Sequence, residues 1–432
     1  MTFRSKLILL VAVPLCALVA VTVPGVTSRL AVVRAETRAQ HLQAPSAALT
    51  QLVQVLDNEH ALSNWYLADG DLRVFLQLKA ARVQTDGAVA ALRSVAGELG
   101  AAHADSAASS LGDLLLRMQR AGKTRQTVDT RVATLDSVNA SYQDSVTQAL
   151  NVVDTMGFSL SDANEVANLR DFATVLRLAA AAGQERAVLT AGFAQGRLPS
   201  NLLQETVGAV AAQDAYRASF EAQASSSLRG AFAARIRSGG SVSDPVRVLR
   251  ADALAGRFGG TTVAAQRWYD ASTKQTEVLF AAARGVLSES DHFGTGRKNT
   301  AQREMYVYGA GALGALLLAL GLALLIGRSA TRALRRLTNA ADEVTERKLP
   351  HLLDALQTGG APSDIPDVTP APVESRDEIG VLARAFNKME QAVVDVAREQ
   401  TSLLRRGVSE LYVNLARRNQ NLLERQIRMI DA

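Results

Sequence analysis

Residues 306–336 read YVYGAGALGALLLALGLALLIGRSATRALRR, and the rest of the chain is arranged around them. No charge falls between Tyr306 and Ile326. About 20 apolar residues in a helix cross a ~30 Å hydrocarbon core. Arg328, Arg332, Arg335 and Arg336 follow at once, which marks that side as cytoplasmic. Tyr306 and Tyr308 stand at the opposite end, where aromatic rings favour the interface. Gly309, Gly311 and Gly314 are small enough to permit close helix packing. Near the start, Leu7–Val26 (LILLVAVPLCALVAVTVPGV) is a second uncharged run, preceded by Arg4 and Lys6. A cleaved leader is the alternative, but the run is longer than a usual signal core. Leu15 before Cys16 argues against a lipoprotein signal. Arg29, Arg34 and Arg38 blunt the charge asymmetry of this first span.

These two spans divide the 432 residues. Residues 1–27 form a cytoplasmic tip and first span, and 28–305 lie outside. Residues 306–326 form the second span, 327–398 a relay, and 399–432 an output helix. Both termini are expected in the cytoplasm, at the cell membrane. The lipid bilayer is then the first partner.

Composition agrees with an all-α chain. Hydrophobic residues make up 48% and aromatic residues only 5%. Ala- and Leu-rich sequence loses little side-chain freedom in helices. The net charge of +5 includes no long basic block, so nucleic-acid binding has little support. Cys16 is the sole cysteine, which excludes an intrachain disulfide and a cysteine-based metal cluster. No metal-ligand spacing and no cofactor motif appears.

The outer region carries apolar residues at helical spacing over 44–68, 71–98, 105–155, 162–195, 200–236 and 261–289. Breaks fall at Asp69-Gly70, at Gly196-Arg197-Leu198-Pro199 and over the Gly/Ser/Pro-rich stretch 238–260. An antiparallel helical bundle is the expected architecture. It contains an internal repeat at an offset of 126. Residues 51–70 are QLVQVLDNEHALSNWYLADG and residues 177–196 are RLAAAAGQERAVLTAGFAQG. Leu52, Glu59, Ala61, Ala68 and Gly70 match Leu178, Glu185, Ala187, Ala194 and Gly196.

In the first copy the apolar stripe Leu49, Leu52/Val53, Leu56 continues onto Glu59 and His60. In the second, Val175, Leu178/Ala179, Ala182 continues onto Glu185 and Arg186. Each copy therefore turns ionisable groups toward the packed side. Burying a charge alone is expensive. These groups pair, reach solvent or hold a ligand, and Glu59, His60, Glu185 and Arg186 are the candidate ligand-binding residues.

This region, roughly residues 45–290, resembles the nitrate- and nitrite-sensing domain of bacterial receptors. That family carries a repeated Arg-Glu-Arg-Gly-type motif and binds a small anion through arginines. Gln184-Glu185-Arg186-Ala187 matches in part. Asn58-Glu59-His60-Ala61 has no arginine. The resemblance implies a small planar anion as ligand, which suits the forked guanidinium. His60 would contribute only when protonated, making binding pH-dependent.

Beyond the second span, Leu334, Leu337, Ala341 and Val344 keep a 3-4-3 spacing. A linker with Gly359-Gly360 and four prolines between 362 and 372 follows. Ile379, Leu382, Phe386, Met389, Val393 and Val396 then keep 3-4-3-4-3, an a/d heptad seam. Two heptad helices joined by a linker directly after a span resemble the HAMP relay domain. Asp377-Glu378-Ile379-Gly380 and Phe386-Asn387-Met389 match that family's pattern. Ala333 stands where a proline is common. A single copy leaves its stripes wet, so a parallel homodimer is expected.

In residues 398–432, Leu404, Val408, Leu411, Leu415, Leu422 and Met429 extend a seam. The run 411–420, LYVNLARRNQ, resembles the dimerisation helix of actinobacterial sensor histidine kinases with this layout. No glycine-rich phosphate loop follows residue 360. None of His41, His60, His103, His292 and His351 lies on the final helix. The expectation is the input and relay portion of a two-component sensor histidine kinase, with kinase domain and response regulator outside this chain. The alternative is a kinase-less receptor or scaffold whose C-terminal helix binds a separate signalling partner.

Overall fold

A computed structural model describes residues 3–240, 243–358, 370 and 378–430, with side chains described at 12–240, 243–354, 370 and 378–426. Apart from Pro370, the relay linker with Gly359-Gly360 and its prolines lies outside the described residues, as do Asp377, Asp431 and the side chain of Met429. Among the described residues the regular structure is helical throughout, with no strand. The helices are α1 (Phe3–His41), α2 (Gln43–Asp69), α3 (Leu72–Ser94), α4 (Ala96–Ala101), α5 (Asp105–Asp129), α6 (Leu135–Met156), α7 (Ala163–Gln195), α8 (Ser200–Gln223), α9 (Ser226–Ser238), α10 (Ser243–Leu254), α11 (Thr262–Glu343), α12 (Leu349–Thr358) and α13 (Glu378–Ile430). They form two compact units: Pro24–Gly309, and Met1–Val23 together with Ala310–Ala432.

Two helices carry stretches long and apolar enough to cross a membrane, one within α1 and one within α11, and no residue of either window is buried. The chain is a membrane protein. Gly309, Gly311 and Gly314 have no neighbour close enough to exploit their small size within this chain.

The Pro24–Gly309 unit is a bundle built on α2 and α7. From Asp171 to Ala194 nearly every residue of α7 is buried, which makes it the central helix. Its composition explains why: Ala179, Ala182, Gly183, Ala187 and Ala191 let neighbouring backbones approach from several sides. The repeat is visible in the caps. α2 ends at Gly70 (φ 72°) and α7 at Gly196 (φ 76°), and each glycine N–H closes on a carbonyl four residues back at 2.9 Å. Left-handed backbone at a helix end is the place where glycine costs least.

Three helical segments are divided differently from the periodicity. The run 105–155 breaks between α5 and α6, where Arg131 takes φ 55°. Thr134 then opens α6 with a capping box: its hydroxyl accepts from Ser137 N–H, and the Ser137 hydroxyl accepts from Thr134 N–H. The run 200–236 breaks at Ala224–Ser225, with the Ser225 hydroxyl accepting from Leu228 N–H. The run 71–98 breaks at Val95. In the opposite sense, the stretch 238–260 contains α10. Apolar spacing carries across these breaks, so periodicity alone misses them; side-chain caps mark the two at Thr134 and Ser225, and none marks the one at Val95.

In the other unit, the first relay helix continues past residue 349. A π-helical stretch, Val344–Lys348, joins α11 to α12, which runs to Thr358. Leu352 of α12 packs on Val394 and Ala397 of α13, and Lys348 Nζ donates to the buried Glu390 carboxylate at 2.7 Å.

Candidate functional site

The repeat brings Glu59, His60, Glu185 and Arg186 into the bundle interior, and all four are buried. Each glutamate is answered by an arginine about 65 residues further along the chain. Arg125 of α5 grips Glu59 through Nε and Nη2 at 2.7 and 2.9 Å, and the Tyr142 hydroxyl donates to the same carboxylate at 2.8 Å. Arg82 adds positive charge 3.8 Å from Glu59 and is itself held by Asp129 at 2.6 Å. In the second copy, Arg250 of α10 grips Glu185 through Nε and Nη2 at 2.5 and 2.6 Å, and Gln213 donates at 2.7 Å. Forked guanidinium–carboxylate pairs of this kind fix geometry as well as charge. Both glutamates are thus saturated by their own chain. Neither arginine stood out in the sequence, because the partners lie far apart along it and Arg250 sits in the stretch read as a break.

His60 and Arg186 occupy equivalent repeat positions and differ in their partners. His60 stacks on Tyr142 at 4.8 Å between ring centroids, and its Nε2 lies 2.8 Å from Asn139 Oδ1. Asn64 donates to the same oxygen at 2.7 Å and to the Ala187 carbonyl at 3.1 Å. Burial pushes the imidazole down to about 4. Burial thus opposes the protonation that a cationic role for His60 would require.

Arg186 is matched to a residue that the apolar stripe does not single out, Asp57. Arg186 Nη2 donates to Asp57 Oδ2 at 2.8 Å and Nη1 donates to Thr273 at 3.0 Å. The guanidinium lies 5.6 Å from the Tyr269 ring centroid, within cation–π range. The pair is incompletely satisfied: Arg186 Nε and Asp57 Oδ1 are buried without a hydrogen-bond partner. Burial raises the Asp57 carboxyl to about 6, against the lowering effect of Arg186. The signal for Asp57 was in the repeat. At an offset of 126 its counterpart is Gly183, and the two meet in space. A Cβ on Gly183 would stand 2.2 Å from the Asp57 carboxyl carbon. One copy presents a carboxylate where the other presents room for it.

Two cavities adjoin this pair, one mainly polar and one of mixed lining. Asp57, Asn58, Gln51, Gln54, Arg186 and Thr273 help line one of about 590 Å³. Asp57 also reaches the wall of a second, of about 290 Å³, with His60, Tyr142, Gln143, Gln184 and Tyr216. Among the described residues no cluster of His, Cys, Asp and Glu is placed to hold a metal.

The relay residues are placed as follows. Leu337, Ala341, Val344, Ile379 and Phe386 are half-buried. Leu334, Leu382, Met389, Val393 and Val396 are exposed, while Gly380, Ala383, Glu390, Val394, Ala397 and Thr401 are buried on α13. The heptad seam of α13 and the face it turns to α12 are therefore different faces.

A helical bundle with a buried, incompletely paired guanidinium, attached to apolar spans and heptad helices, defines a membrane-bound sensor and signal transducer. Residues 51–289 match the family model for nitrate and nitrite sensing, and residues 325–392 match the HAMP domain. The first match covers more than half of the chain, which belongs to the nitrate- and nitrite-sensing family. The structure of the NasR transcription antiterminator is similar in fold, with TM-score 0.55 and 17% identity, over 89% of this chain and 98% of that one. No curated protein matches the chain.

Proposed function

We propose that this chain is the input and relay portion of a two-component sensor histidine kinase, and that it detects nitrate or nitrite outside the membrane at Arg186. One observation carries the ligand reading: a buried guanidinium on the wall of a polar cavity, with Nε free and a counter-ion of raised pKa. A planar anion entering that cavity meets Arg186, the Thr273 hydroxyl and the amides of Gln51 and Gln54. Asp57 is the competitor for the guanidinium and yields it on taking a proton. Charge-assisted bonds to Arg are worth about 1.5–3 kcal/mol, so Arg186→Ala should weaken binding roughly tenfold to a hundredfold.

The arginines after Ile326 and the basic tip before Leu7 support a two-pass topology with both termini inside. The exposed seam of α13 supports a parallel homodimer, which buries it against a second copy. Anion binding shifts the bundle, α11 carries the shift, and the relay helices repack between two arrangements. Calorimetry on the full chain in nanodiscs tests the ligand. Nitrate and nitrite should release heat with wild type and far less with Arg186→Ala. Identical heats, or none at millimolar anion, would overturn it. Topology is checked by a membrane-impermeant maleimide on Cys16→Ser cells. Thr130→Cys should label in intact cells and Ser409→Cys only after permeabilisation.

A further inference from the structure

A second ionisable cluster lies at the membrane-proximal end of the sensor bundle, away from Arg186. It joins three elements: Glu36 on α1, Asp162 and Glu165 at the start of α7, and Arg297 on α11. Glu36 precedes the bundle by a short distance from the first span, and Arg297 lies nine residues before Tyr306, roughly 14 Å along a helix.

The charges do not balance. Three carboxyl groups surround one guanidinium. Arg297 Nη2 donates to Asp162 Oδ2 at 2.8 Å. Its Nη1 is shared, at 3.2 Å from Asp162 Oδ1, 3.1 Å from Glu36 Oε1 and 3.5 Å from Glu165 Oε1. Lys298, the next cation on α11, is tied to Gln40 at 2.8 Å. Asp162 takes the best of Arg297, and its carboxyl is pulled down to about 2, chiefly by that hydrogen bond. The two glutamates share what remains.

Glu36 is wholly buried, and among the described residues neither of its oxygens has a hydrogen-bond donor. Oε2 has no cation either among the described residues, and Gly294 makes room for it: a Cβ there would stand 2.6 Å away. The Glu36 and Glu165 carboxyls are within hydrogen-bonding reach of each other. Two carboxylates at that distance, out of water, do not both ionise. A proton on one supplies the donor that the other lacks.

We propose that Glu36 and Glu165 bind one proton between them, and that this site makes the grip of α1 and α7 on α11 responsive to pH on the sensor side. With the proton bound, the cluster carries one excess negative charge and closes on Arg297. Without it, a second buried charge opposes the closed arrangement. Both groups are shifted up, chiefly by burial; the neighbouring Glu36 charge adds to the rise at Glu165, which reaches about 7, while the hydrogen bond from Glu165 works against the rise at Glu36. The folded state therefore holds a proton that the unfolded chain releases near 4.5. Stability from this site is complete below about 4.5 and is lost as pH rises through about 7. The proton binding does not depend on the anion site or on the topology; only the side of the membrane rests on the reading above.

The test is infrared titration of the full chain in nanodiscs, with ¹³C-carboxyl glutamate to separate glutamic from aspartic acid, since Asp57 also titrates. A protonated-glutamic-acid band should be present at pH 6, disappear by pH 8 and be absent from Glu165→Gln. The melting temperature of wild type should fall over the same interval, and that of Glu165→Gln should stay flatter. If the glutamine variant does not fold, labelled wild type still decides. No labelled band between pH 6 and 8, or one that survives in Glu165→Gln, would overturn the proposal.

Discussion

Asp57 and Gly183 hold the asymmetry on which the sensor reading turns. The two positions are equivalent in the repeat and touch across the α2–α7 contact. A carboxylate at one and no side chain at the other put a single carboxylate against the incompletely paired guanidinium of Arg186. Periodicity exposed the neighbours, Glu59 and Glu185, because they interrupt an apolar stripe. It passed over Asp57, which lies off that stripe and is buried because a glycine opposite admits it. Under the proposed anion site the pH dependence falls to Asp57: protonated below about 6, it would leave Arg186 to the anion, and above that the carboxylate would compete. Nitrate affinity should be level at low pH and fall toward tenfold per unit above about 6, one pK unit being 1.36 kcal/mol. Asp57→Asn should abolish this slope and bind more tightly than wild type at pH 8. Affinity titrations at several pH values check both.

At the level of elements, the two forked pairs clamp peripheral helices to the two central ones. Arg125 ties α5 to α2, and Arg250 ties α10 to α7. Removing one partner of a buried pair strands the other charge, at about 3–5 kcal/mol, whereas replacing both with apolar groups costs far less. Arg125→Ala should therefore destabilise the bundle by about that amount in denaturant unfolding, and Arg125→Met combined with Glu59→Leu should recover much of the loss. Equal destabilisation by both variants would mean that packing, not charge, holds α5. The helices themselves were largely readable, since apolar spacing and the glycine ends at Gly70 and Gly196 are local signals. The splits at Arg131 and Ser225 were not, because the hydrophobic stripe continues across them. α10 was hidden by its flanking glycines and serines, and Arg250 with it.

For the whole molecule, the spans, the sensor bundle and the relay each had an independent mark in the sequence: an uncharged run, a 126-residue repeat, a heptad seam. Their joint meaning, a receptor in which an anion at the sensor repacks the relay, rests on coupling between them. The exposed positions of α13 give a direct probe, because they meet their counterparts only in a dimer. Val393→Cys in a Cys16→Ser background places one spin label per chain on the relay seam. Double electron–electron resonance in nanodiscs then measures the distance between the two copies. The account predicts a defined distance that changes when nitrate is added, with no change in an Arg186→Ala chain. An absent dimer distance, or one that ignores nitrate while calorimetry shows the anion bound, would contradict it.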